Sequence, residues 1–309
     1  SRLLYYGPKR TESLSFELTF ESEAIRDTYE VKLAHGLPDR LFISGEKVTY
    51  HKISLPSPPP KEYFLNAGGS ESGLKGDRDH RQTSNDLFRL LSGVRSYQFH
   101  DTSDTAKIKD RCYVDDAQYL RSDAGNLAAF LNMLKQQKQF RRYYDRIVRH
   151  VQRVMPQFLG FDLEPIPGNT NYVRLNWQDA SGSDYLFGPD QISDGSLRFM
   201  ALATLLLQPP ELLPTFIILD EPELGLHPAA IGELAGIVRA ASQKTQVLLA
   251  TQSTRLVDEF SAEDVMVVER DEKEGCSVFK KFDPEHLQDW LERYSLSELW
   301  EKNVLGGQP

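Results

Sequence analysis

The sequence predicts an α/β fold with a parallel core, and three observations predict it. Helix-like and strand-like patterns alternate along the last third of the chain. An apolar run, Phe216-Ile217-Ile218-Leu219, ends in the carboxylate pair Asp220-Glu221. Upstream, residues 13–64 alternate apolar and polar side chains with a period of two.

The elements follow in order. Phe16, Leu18 and Phe20 share one face, followed by Tyr29, Val31 and Leu33 and by short apolar runs at 41–43 and 48–53. These read as a meander of short antiparallel strands, with turns at Gly36-Leu37-Pro38 and Ser44-Gly45-Glu46. The prolines of 55–60 exclude helix, and 68–81 is rich in Gly, Ser and charge, so both are loops. Helical signals begin at Ser84-Asn85-Asp86, and Asp123 is the expected N-cap of a helix over 126–131. A long helix is expected over 139–154, because Phe140, Tyr144, Ile147, Val151 and Val154 step by 4, 3, 4 and 3. Pro156 ends it. Strands are expected at 161–163, 172–177 and 185–187. Then come helix 197–207, strand 216–219, helix 229–241, strand 246–250, helix 254–260 and strand 265–269, an alternation that implies parallel strands with crossover helices. Strand 277–282 and short helices near 286–293 and 296–302 close the chain. The expected division is a β-rich arm over 1–83, a helical lobe over 84–160 and a core over 161–309.

Composition bounds the function. With 40% hydrophobic and 26% charged residues among 309, the chain has the balance of a globular protein. Its apolar runs fall far short of the ~18 residues that cross a bilayer. A net charge of -9 argues against a surface coated for nucleic acid and leaves room for a local basic patch. Cys112 and Cys276 form neither a disulfide framework nor a zinc spacing, so a reducing, cytoplasmic compartment is expected.

The chemistry concentrates after residue 190. Asp220 and Glu221 sit where a buried strand emerges at its C-terminal end, the edge at which α/β sheets bind ligands. They read as a Walker B element: Asp220 would hold Mg2+, usually through water, and Glu221 would polarise the water that attacks a γ-phosphate. On its own the pattern equally suits a solvated acidic turn. Its surroundings favour the first reading. Ile192-Ser193-Asp194-Gly195-Ser196-Leu197-Arg198 is a polar turn that caps an apolar helix and offers an anion site. Downstream, Glu223-Leu224-Gly225-Leu226-His227-Pro228 leads into another helix, and 247–250 is a strand ending in Thr251-Gln252-Ser253.

In this order these segments resemble the signature loop, Walker B, D-loop and switch strand of ABC-type ATPases. The chain is similar to RecF/SMC-like ATPase heads, and most closely to bacterial AAA-family ATPases related to the overcoming-lysogenization-defect (OLD) proteins. The resemblance is strong over 184–309 and weaker over 100–134, around Phe99-His100-Asp101-Thr102-Ser103 and Asp123-Ala124-Gly125-Asn126-Leu127. It implies a P-loop NTPase fold of ABC-head type, with ATP and Mg2+ as ligands and an ATP-dependent homodimer. In that dimer Ser193, Asp194, Gly195 and Ser196 would engage the nucleotide of the other copy, with Glu223, Leu226 and His227 in the D-loop and Glu221 and Gln252 as catalytic residues. Two departures stand out. Gln252 occupies the position where most relatives hold a His, so hydrolysis is expected to be slow. No GxxxxGK[ST] loop occurs, and Gly68 to Gly76, with Leu74 where the Lys belongs, is expected to be a flexible loop. The Walker A segment is therefore expected upstream of Ser1.

The resemblance implies a DNA-repair or phage-defence ATPase, with DNA or a protein effector as further partner. The alternative is a degenerate, non-hydrolysing nucleotide sensor that regulates a nuclease or toxin. Lys138, Arg142, Arg146, Arg149 and Arg153 form a basic stripe that would suit a phosphate backbone, although a solvated face is the commoner meaning of such a pattern. His100 and Asp101 fit either a proton-transfer pair or a hydrogen-bonded loop. Residues 1–309 alone are expected to show no magnesium-dependent ATP hydrolysis, and turnover lost on Lys75→Ala would overturn that expectation.

Overall fold

The computed structural model describes residues 4, 6–54, 58–65, 67–182, 184–271, 273, 275–282 and 290–307. The chain divides into two compact units, Ser1–Val94 and Arg95–Pro309. Among the described residues no helix is long and apolar enough to cross a membrane.

The first unit is built on the expected antiparallel meander. Strands β1 (Ser13–Glu21), β2 (Ile25–Gly36), β3 (Arg40–Lys52) and β4 (Lys61–Phe64) pair in sequence order. Ser44-Gly45-Glu46, expected to be a turn, is instead a bulge within the continuous strand β3. Lys32 pairs with Gly45 and Leu33 with Ile43, so Ser44 is the extra residue, and its hydroxyl donates to the Lys32 carbonyl at 3.2 Å. One inserted residue reverses the parity of a strand. Ile43 is buried before the bulge, and Glu46 and Val48 are buried after it.

That parity change puts a carboxylate inside. Glu46 accepts hydrogen bonds from the Tyr29 hydroxyl (2.5 Å), the Ser72 hydroxyl (2.5 Å) and the Gly73 N–H (2.8 Å). Burial first, then the adjoining Glu46 carboxylate, raises the Tyr29 hydroxyl well above its ordinary pKa, which keeps it a donor. Residues 68–73, expected to be flexible, are thereby docked. Gly68 N–H donates to the Ile43 carbonyl and Ile43 N–H to that of Gly69. The loop's Gly73 N–H is already spent on a carboxylate. Beyond it, α1 (Leu74–Asp77) and α2 (Gln82–Ser92) bring Leu74 and Leu87 onto Tyr29 and Val48 to form a small core. The expected boundary at residue 84 thus runs through α2, whose apolar residues pack in the first unit.

The second unit starts its sheet with β5 (Val94–Tyr97), which the sequence pattern did not announce. Strands β6 (Cys112–Tyr113) and β8 (Tyr172–Val173) pair, and β7 (Phe158–Asp162), β9 (Asn176–Asp179) and β10 (Leu186–Phe187) form another sheet in the order β10-β9-β7. The single strand expected at 172–177 is thus two strands in different sheets. Helices α3 (Leu127–Gln136), α4 (Arg141–Val154), α5 (Asp194–Leu207) and α6 (Pro228–Ser242) supply most of the core. α4 buries Tyr144, Ile147 and Val151 of the predicted stripe, with Tyr143 besides; Phe140 is buried at the cap and Val154 only partly buried. α5 is apolar from Phe199 to Leu207 except for Thr204, whose hydroxyl donates to the Met200 carbonyl, and is buried accordingly. Asp123 does not cap α3; the buried Asn126 occupies the cap position, and its amide donates to the carbonyls of Asp116 and Tyr119 while accepting from Arg121 N–H.

Strands β11 (Phe216–Asp220) and β12 (Gln246–Ala250) are parallel, joined through α6 as a crossover, and the sheet order is β12-β11-β5. After one turn of helix, α7 (Thr254–Val257), the alternation no longer extends the parallel core. β13 (Met266–Arg270) pairs antiparallel with β14 (Ser277–Lys281), because six residues between them permit a hairpin but not a crossover. The closing helix α8 (Leu296–Glu301) is tied to the end of α7 by Asp258, which accepts from Ser297 N–H and hydroxyl at 2.9 and 2.6 Å. The helix expected near 286–293 lies largely outside the described residues.

Asp27 generates a prediction. Burial, followed by the charge of Asp86, raises its pKa from 3.8 to about 6, and its Oδ1 is buried without a hydrogen-bond partner. A folded-state value above the unfolded one contributes stability at low pH that disappears as pH rises through about 6. Asp27→Asn should therefore raise the thermal midpoint of the first unit at pH 7.5 by roughly 4 °C, after discounting for solvent screening. The gain should vanish below about pH 4; a pH-independent gain would show that ionisation is not its cause.

Candidate functional site

Phe216 to Leu219 bury into the sheet, and Asp220 emerges exposed at its C-terminal edge. Glu221 follows with φ of +40°, a left-handed conformation that costs a residue with a Cβ of order 1 kcal/mol or more. Its backbone is held on both sides: Glu221 N–H donates to the Ala250 carbonyl at 2.8 Å, and its own carbonyl accepts from Leu224 N–H. The Glu221 side chain makes no hydrogen bond among the described residues. Gln252 lies two residues beyond Ala250 and is exposed. Asp220, Glu221 and Gln252 are thus presented at the same ends of neighbouring parallel strands.

Two residues after β5 complete this edge. The Gln98 amide lies 3.3 Å from Asp220 Oδ2, and His100 Nε2 lies 2.9 Å from the Asp220 carbonyl. A carbonyl only accepts, so His100 carries its proton on Nε2. Asp101 is turned to Ser103, whose hydroxyl and N–H donate to it and lower its pKa. His100 and Asp101 are therefore separate hydrogen-bonding groups. Sequence reasoning missed Gln98, although a signal exists: Tyr97 and Phe99 are buried and Gln98 is exposed, a period-two alternation that continues β5.

Ser193 caps α5, accepting from Ser196 N–H at 3.2 Å and donating its hydroxyl to Ser196 Oγ at 2.9 Å. Asp194 is exposed and lies 3.8 Å from Lys109 Nζ. Gly195 has a structural reason: a Cβ there would stand 2.3 Å from the Gly225 carbonyl oxygen, a contact no side chain survives. Gly225 is itself left-handed, with φ of +76°. Arg198, one turn into α5, donates to the carbonyls of Leu224 (2.7 Å) and His100 (2.8 Å) and to the Thr102 hydroxyl at 3.4 Å. Arg198 thus joins the start of α5, the 223–226 segment and the loop after β5. In the segment after Glu221, Glu223 is buried; its Oε1 accepts from the Thr251 hydroxyl at 2.5 Å, and its Oε2 has no partner among the described residues. Leu226 is buried, and exposed His227 caps α6 by accepting from Ala229 N–H at 3.2 Å.

Among the described residues no three His, Cys, Asp or Glu side chains form a metal cluster. Asp220, an exposed oxygen donor with one amide neighbour, fits a Mg2+ ion that takes its remaining ligands from substrate phosphates and water. The basic stripe is divided. Lys138 lies in the turn before α4, Arg153 pairs with Glu233 at 3.0 Å, and Arg142, Arg146 and Arg149 remain together on α4.

This parallel edge, with its acidic pair and the Ser193-capped α5, belongs to an α/β fold that carries an AAA-type ATPase domain. Residues 39–258 match the family described as "AAA domain, putative AbiEii toxin, Type IV TA system", and the chain belongs to that family. Solved structures that resemble it include the SMC head domain from Thermotoga maritima, at 11% identity and a TM-score of 0.37, covering 83% of this chain and 74% of that one. Another is the Smc head domain from Pyrococcus furiosus bound to the C-terminal domain of ScpA, at 11% identity and TM-score 0.41, covering 87% and 80%. A SmcHead bound to the C-winged helix domain of ScpA matches at 12% identity and TM-score 0.43, covering 85% and 76%. No match to a curated protein was found.

Two glycines make a paired prediction. Gly195→Ala should destabilise the protein by about 1–3 kcal/mol, because backbone must move to admit the Cβ. Gly236, within α6 and open on its Cβ side, should instead gain about 0.5–1 kcal/mol on mutation to Ala. Urea midpoints that moved in the same direction for both variants would contradict the packing described.

Proposed function

We propose that the protein binds and hydrolyses ATP with Mg2+, and that ATP draws two copies together head to head. The observation that carries this reading is the Glu221 carboxylate: it follows Asp220 at the end of β11, on a strained backbone bonded to β12, with no hydrogen-bond partner among the described residues. A carboxylate so placed suits a general base. In this reading Glu221 accepts a proton from the water that attacks the γ-phosphorus, and the β-γ bridging oxygen leaves with ADP. Mg2+, when bound, neutralises charge on the phosphate oxygens. Asp220 and the Gln98 amide orient that end of the substrate, and Gln252 donates an amide hydrogen to a γ-phosphate oxygen. From the second copy, the Ser193 and Ser196 hydroxyls and the N–H groups of Asp194 and Gly195 at the start of α5 would meet the γ-phosphate. Glu223, Leu226 and His227 shape the D-loop beside that contact.

The reading extends to a cytoplasmic process of phage defence or DNA repair, and the toxin in the family's description supports the defence branch. Gln252 supports a second reading, a nucleotide sensor that hydrolyses little or nothing and regulates a nuclease or toxin. An amide carries neither charge nor a transferable proton, so it stabilises a phosphate without helping turnover.

Glu221→Gln in the full-length protein should keep ATP binding, lower steady-state hydrolysis at least about 100-fold and accumulate ATP-bound dimer. Undiminished hydrolysis would remove Glu221 from the role of base. Ser193→Arg places a bulky cation in the anion site, so light scattering should show no ATP-induced dimer while nucleotide still binds. Normal dimers would overturn the assignment of the signature.

A further inference from the structure

A cluster of cations without ion pairs among the described residues lies away from the residues that the ATPase reading uses. A concave pocket of about 330 Å³ is lined by Arg142, Tyr143, Arg146, Arg149 and Lys244. The arginines stand on α4 and Lys244 follows the C-terminus of α6, more than about 20 Å along that helix from His227 at its other end. Four of the five lining residues are cations, and no carboxylate lines the pocket.

The same helix shows what neutralisation looks like. Arg141 pairs with Asp145 at 3.0 Å, and Glu233 takes both Arg153 (3.0 Å) and His150 (2.5 Å). None of Arg142, Arg146, Arg149 and Lys244 forms an ion pair among the described residues. Arg142 is also positioned: its guanidinium lies 4.7 Å over the Tyr143 ring and donates to that hydroxyl at 2.8 Å. Four converging positive charges repel one another, and in a chain with an excess of nine acids none of them is paired among the described residues.

We propose that this pocket binds the phosphodiester backbone of a nucleic acid. Guanidinium forks match phosphate oxygens. Arg142, Arg146 and Arg149 span about 10 Å along α4, close to three nucleotide steps at about 3.4 Å per step of one strand. Tyr143 is buried and its ring is covered by the Arg142 guanidinium, so the contact is to the backbone and independent of sequence. The inference stands apart from the ATPase reading, since it uses none of that site's residues.

The test is fluorescence anisotropy of the full-length protein with a labelled duplex, without nucleotide, from about 50 to 200 mM salt. Four phosphate contacts give a salt slope of about -3.6, a loss of affinity of about 150-fold across that range. Arg146→Gln with Arg149→Gln should halve the slope, reducing the loss to about 12-fold. Lys244→Gln, at an exposed turn, should bring the slope to about -2.7. Absence of binding at the lowest salt, or slopes unchanged in both variants, would overturn the proposal. So would displacement of the duplex by polyglutamate at equal charge, which would identify an acidic polypeptide as the occupant.

Discussion

Arg198 is the constraint on which the rest of the site depends. Its guanidinium bonds the carbonyls of His100 and Leu224 while its stem belongs to α5, so two loops and a helix from distant parts of the sequence share one cation. Bonds from a charged donor are worth about 1.5–3 kcal/mol each, and a buried carbonyl left without its donor costs a comparable amount. His100 in turn bonds the Asp220 carbonyl, and Glu221 reaches β12 through the Ala250 carbonyl. The chain of contacts runs from α5 through Arg198 and His100 to β11 and then β12. Moving α5 strains every member of it.

Glu46 does for the first unit what Arg198 does for the second. A carboxylate is rarely buried unless it is bonded, and here three donors from β2 and the loop after β4 close on it. The bulge at Ser44 is what turns Glu46 inward, so one inserted residue decides where the loop over 68–73 is held. The Gly-rich composition of that loop serves docking onto β3, through the backbone of Gly68 and Gly69, and its Gly73 N–H faces an anion that the protein supplies itself.

Much of this was legible in the sequence because it rests on local pattern. Phe216 to Asp220, Gln246 to Ala250 and the stripe on α4 follow directly from periodicity, and Ser193 announces a cap by its residue type. What escaped was set by non-local contact. β5 is four residues long and becomes a strand by pairing next to β11, which no local window reveals. The bulge at Ser44 and a true turn share the same Ser-Gly signal. β13 matched a crossover pattern, yet the short loop after it selected a hairpin. Gln98 and Arg198 carry nothing in their own neighbourhoods that names Asp220 or Leu224 as partners.

The contact between Gly195 and the Gly225 carbonyl also bears on how the protein can vary. Position 195 accepts a side chain only if the segment around 225 retreats, and that segment is fixed in turn by Arg198. Three positions spread over thirty residues therefore behave as one unit of inheritance, in which single exchanges are penalised and joint exchanges are not. An engineer who transplanted the signature turn into another scaffold would have to carry the opposite loop and the arginine with it.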